Sequence, residues 1–99
     1  MQIIHIEGDK RNMVAYRIRD HVIAADAEED ARLFYTYEVG MDPPPVIEEL
    51  SVSLEVPAGE GETASIRDIM NRVLDERNSW LRLGVPCELH HPFIVAKVK

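Results

Sequence analysis

Cys87-x-x-His90-His91 is the densest run of metal-capable and nucleophilic side chains in the sequence. A tetrahedral zinc site needs three or four cysteine, histidine or carboxylate ligands within coordination distance. Cys87 and His90 offer two. On extended backbone His91 points to the opposite side, since neighbouring residues alternate faces. His5 and His21 fall on predicted strands and could join only through tertiary structure. The same run outlines a thiol nucleophile, with Cys87 attacking and His90 or His91 as its base. No third orienting group and no oxyanion hole has a counterpart in the sequence. The simpler expectation is that Cys87 is a small buried hydrophobe and the two histidines are loop or surface residues.

Carboxylates form two further groups: Asp26, Glu29 and Asp30, and Glu48 and Glu49 with Glu38. Neither has the alternating oxygen ligands and central glycine of a calcium loop, and helix capping already accounts for the first. The loop at 58–62 has two glycines but no following Lys-Ser/Thr pair, and its charge repels phosphate. No cofactor motif is present, and no cofactor is expected.

The aromatic residues make a better candidate surface. Tyr35 lies 100° around a helix from Phe34 and reads as exposed. Trp80, Leu81 and Leu83 extend apolar character past what a short helix needs for a small core. Burial of Trp80 in that core is the simpler expectation; a protein interface formed by Trp80, Leu81, Leu83 and Tyr35, homodimer included, is the alternative.

The elements that must position these residues are legible from periodicity. The strongest signal is 65–83, where Ile66, Ile69, Met70, Val73 and Leu74, then Trp80 and Leu81, recur at helical spacing. Ser65 or Thr63 caps this predicted helix, Gly84 and Pro86 end it, and Asn78-Ser79 is its weak joint. A first helix is predicted at 27–39, with Asp26 as N-cap, Glu29 completing a capping box and Gly40 at the C-terminus. Its expected core face carries Ala27, Ala31, Phe34, Tyr37 and Met41. Three prolines at 43–45 make a stiff extended connector.

Strands are predicted at 2–6 and 13–18, joined as a hairpin over five residues, and at 93–98 near a sheet edge. The apolar run 21–25 either extends the second strand or forms a third. Residues 49–56 alternate apolar and polar as one strand that Pro57 stops. The expected fold is α+β: a small two-layer sandwich in one domain spanning 1–99. Its sheet is mixed or antiparallel, of four or five strands, with two helices on one face, in the order β-β-(β)-α-β-α-β.

Composition bounds the function. Ninety-nine residues, 45% hydrophobic and 29% charged, describe an ordinary globular chain. No apolar run nears the roughly 18 residues that span a bilayer, and the N-terminus lacks a secretory pattern. With a single cysteine, these features lead us to expect a cytoplasmic protein. The net charge of −7 is uneven: 20–62 holds 12 acidic residues against Arg32 alone. Such a segment repels phosphate and disfavours nucleic-acid binding. It suits a basic protein partner, for instance as an acidic decoy of a nucleic-acid-binding groove. The expected function is therefore a small acidic, non-enzymatic interaction module. The alternative is a small enzyme or metal or ligand binder using Cys87 with His90 and His91.

Overall fold

The computed structural model describes residues 13–98. The order is β1 (Val14–Ile18), β2 (His21–Ala25), α1 (Glu28–Val39), β3 (Glu48–Leu50), β4 (Glu55–Gly59), β5 (Glu62–Ser65), α2 (Ile66–Arg82) and β6 (Phe93–Lys97). The fold is α+β, and both of its sheets are antiparallel. Four strands align as β3-β1-β2-β6, while β4 and β5 form a separate hairpin. The strand expected at 2–6, with its hairpin to β1, lies outside the described residues.

The run at 21–25 is a strand of its own. Ile18 pairs with His21 across a two-residue turn, in which Arg19 takes a left-handed conformation at φ 56°. β2 occupies the centre of the sheet, and Val22, Ile23, Ala24 and Ala25 are all fully buried. A strand apolar at every position has two faces to cover. Val22 and Ala24 join Met13, Ala15 and the α2 residues Ile66, Met70 and Leu74 in one core cluster. Ile23 and Ala25 join Tyr16, Ile18 and the α1 residues Ala31 and Tyr35 in another. The helices therefore cover opposite faces of the sheet, not one. The uninterrupted VIAA run was the signal for this layering.

α2 forms as its sequence dictates. The Ser65 hydroxyl accepts the Asp68 amide at 3.1 Å, and Ile66, Met70 and Leu74 repeat every four residues on the buried side. Each such side chain contributes roughly 1.5–3 kcal/mol on burial. The helix passes through Asn78-Ser79 without a break and ends at Arg82, with Gly84 at φ 83° just beyond.

The expected strand at 49–56 is broken into β3 and β4 by a turn over Ser51–Leu54, where the Leu54 amide donates to the Ser51 carbonyl at 3.1 Å. The turn aims carbonyls at the start of α2. Ile66 N–H donates to Leu54 at 2.9 Å and Arg67 N–H to Val52 at 2.8 Å, satisfying two of the helix's orphan donors. Pro57 does not end the strand but lies within β4, opposite Thr63, on a two-stranded sheet where a missing N–H is tolerated.

α1 departs from its expected pattern in two ways. Its N-cap is Ala27, which makes no side-chain cap; Glu28, Glu29 and Asp30 in the first turn act on the helix dipole instead. Its buried residues are Ala31 and Tyr35, whereas Tyr37 is 85% exposed. The proline connector is tied down by Arg32, whose two terminal nitrogens donate to the Pro44 and Pro45 carbonyls at 2.7 and 2.6 Å.

Candidate functional site

Cys87, His90 and His91 lie on the connector between α2 and β6, and each faces a different neighbour. The Cys87 thiol donates to the Arg77 carbonyl at 3.6 Å and is exposed, contrary to the expectation of a small buried hydrophobe. His90 Nδ1 sits 2.7 Å from the Asp26 carboxylate. His91 Nδ1 is 3.4 Å from Glu88, and its ring stands edge-on to Phe34 with centroids 6.0 Å apart. Among the described residues no three histidine, cysteine or carboxylate side chains converge as a metal site would require.

The Asp26–His90 pair is a histidine oriented by a carboxylate, and its Nε2 is enclosed with no hydrogen-bond partner among the described residues. The pair reads as a clasp. It joins residues 64 apart in sequence and pins the connector to the junction of β2 and α1. This is where Asp26 spends the carboxylate that the sequence assigned to capping.

Arg77 holds the same connector from the other side. Its Nη1 donates to the carbonyls of His91 at 2.7 Å, Leu89 at 2.8 Å and Glu88 at 3.4 Å. Its guanidinium lies 5.0 Å from the centre of the Phe93 ring. A planar, permanently charged fork suits this double task. Nothing in sequence spacing marks Arg77, because its partners are backbone carbonyls.

Two apolar surfaces remain. At the end of α2, Trp80 is 48% exposed, Leu81 41% and Leu83 81%. The simpler expectation of a core tryptophan is thus overturned: the buried stripe of α2 ends at Leu74. Tyr35 does not belong to this surface. It is 1% exposed, its hydroxyl accepts from Arg19 at 3.1 Å, and its ring packs against His21 with centroids 5.7 Å apart. His21 Nδ1 is 2.9 Å from the Asp20 carboxylate, at an angle that makes no hydrogen bond.

The second surface is a groove of about 290 Å³ between α1 and the start of β6, lined by Asp30, Leu33, Phe34, Tyr37, Glu38, His91 and Pro92. Of the two aromatic residues expected on the core face, Phe34 is half-buried against the core cluster and also lines this groove, whereas Tyr37 is exposed and lines the groove alone. On the adjoining sheet face, burial pushes the Tyr16 phenol above its ordinary 10.0, and the Glu49, Glu28 and Asp30 carboxylates push it further.

No helix among the described residues is long and apolar enough to cross a membrane. No protein family matches the chain, and no curated protein or solved structure compared with it does so either.

Proposed function

We propose that this protein is a small acidic interaction module, non-enzymatic, that presents apolar and acidic surface to a protein partner or to a second copy of itself. The observation that carries this reading is the exposed cluster Trp80, Leu81 and Leu83 at the end of α2. Exposed large apolar side chains close together mark interaction surfaces, and tryptophan is among the residues most enriched at interface hot spots. The excess of negative charge in 20–62 supports a partner that is basic where it meets the module.

The test is light scattering of the purified protein over a concentration series, with affinity capture from its native host at low and high salt. Self-association, or a partner retained at low salt and released at high salt, is expected, and Leu83→Glu should abolish it. A monomer at all concentrations that retains no partner removes the reading.

A further inference from the structure

We propose that the groove on α1 docks an extended basic segment of a partner protein, seating one apolar side chain between two cationic ones. The proposal rests on the interaction-module reading and gives that module a partner chemistry. Asp30, Leu33, Phe34, Tyr37 and Glu38 form one i, i+3, i+4, i+7, i+8 stripe of the helix, and His91 and Pro92 make the facing wall. α1 meets the core through Ala31 and Tyr35, with Phe34 and Val39 half-buried beside them, leaving Leu33 67% and Tyr37 85% exposed. A volume of about 290 Å³ is at the small end of ligand pockets, which run from roughly 300 to 1,000 Å³. It fits one large anchoring side chain better than a whole cofactor.

The two carboxylates bracket that anchor. Glu38 lies eight residues beyond Asp30, about 12 Å along the axis at a rise of about 1.5 Å per residue. Among the described residues neither carboxylate is in an ion pair. Glu38 stands in the last turn of α1, which holds no basic residue, so its charge opposes the negative end of the helix dipole. Helix stability does not account for it; a cation docked there does. In an extended chain, residues i, i+2 and i+4 share a face and span about 13 Å. A basic-x-apolar-x-basic segment therefore meets Asp30, the apolar floor and Glu38 in register. The acidic excess of 20–62 draws such a segment in from a distance.

The experiment titrates the full chain, labelled with nitrogen-15, with the peptide Ser-Arg-Thr-Leu-Thr-Arg-Ser, following amide shifts. The expected result is saturable movement at Leu33, Phe34 and Tyr37 that weakens with salt. Affinity falls up to roughly fivefold in Glu38→Gln and roughly five- to twentyfold in the Asp30→Asn/Glu38→Gln double variant. Thermal stability of Glu38→Gln stays level or rises, separating lost binding from lost fold. Absence of shifts on α1 at about 5 mM peptide, or equal binding of a peptide with glutamine for arginine, overturns the proposal. So does a Tyr37→Ser change that dissociates a dimer, since the groove would then hold a second copy. A silent titration beside association lost in Leu83→Glu refutes the groove and leaves the interaction-module reading standing; failure of both removes both.

Discussion

Replacing Arg77 by methionine keeps an unbranched apolar side chain at this position on α2 and removes the guanidinium that holds the α2–β6 connector. The bond to Leu89 at 2.8 Å is partly buried, and a hydrogen bond from a charged donor contributes about 1.5–3 kcal/mol. The bond to His91 at 2.7 Å is exposed and is discounted to about 1 kcal/mol or less for competition from water. The 3.4 Å contact to Glu88 is at the margin of useful geometry and adds little. The guanidinium 5.0 Å from the Phe93 ring centre adds about 0.5–1 kcal/mol. The carbonyls left behind are near enough to the surface for water to take them, so no further penalty is added and the loss should be about 2–5 kcal/mol. For a domain of about this size the melting temperature should drop by roughly 10–40 °C. Urea unfolding followed by far-ultraviolet circular dichroism gives the energy. Amide exchange over 85–92 tells where it was lost, and protection there should fall first. Arg77→Lys should recover less than half, because an ammonium drawn to the carbonyls has no planar guanidinium left to lie over the Phe93 ring. An Arg77→Met protein within about 0.5 kcal/mol of wild type, with unchanged exchange at 85–92, would refute the role of Arg77 in holding the connector.

Three other outcomes follow from the same packing. Leu74→Ala, at a fully buried site under the sheet, should cost about 2–5 kcal/mol in urea unfolding. In a double-mutant cycle, Asp26→Ala and His90→Ala should show a coupling of about 0.5–3 kcal/mol; additive losses would mean the 2.7 Å contact contributes nothing. Because the Tyr16 phenol is raised above 10.0, the unfolded chain loses that proton at lower pH than the folded one. The associated stability is intact below pH 10.0 and is lost as pH rises through the folded value. Phenolate absorbance should show a late-titrating component that is lost in Tyr16→Phe, and that variant should flatten the alkaline loss of stability.

Local pattern carried most of the elements. The α2 stripe and its Ser65 cap, the span of α1 ending at Gly40, and the strands near 14–18, 21–25 and 93–97 are visible because hydrogen bonding and side-chain period act over a few residues. Three features were not visible, each for a long-range reason. The apolar-polar alternation of 49–56 reads as one strand, yet the chain turns at Ser51–Leu54 because the first amides of α2 need acceptors there. Asp26 has every local attribute of an N-cap but is taken by His90, a partner no window of sequence contains. On α1 the pattern reads as one core face of Ala27, Ala31, Phe34, Tyr37 and Met41, whereas the buried residues are Ala31 and Tyr35. The sheet beneath the helix buries Ala31 and Tyr35 with Phe34 packed at their side, and leaves Tyr37 in the groove.

The candidate chemistry divides along the same line. Residue types alone set the acidic charge and supplied Cys87, His90 and His91 as the groups capable of reaction. Whether such groups meet depends on chain reversals many residues away, and the tertiary structure sends them to Arg77, Asp26 and the Glu88–Phe34 pair. It likewise leaves Trp80 outside the core, whose last fully buried residue on α2 is Leu74. Periodicity says that a face is apolar; only the area of the opposing layer decides how much of that face is covered.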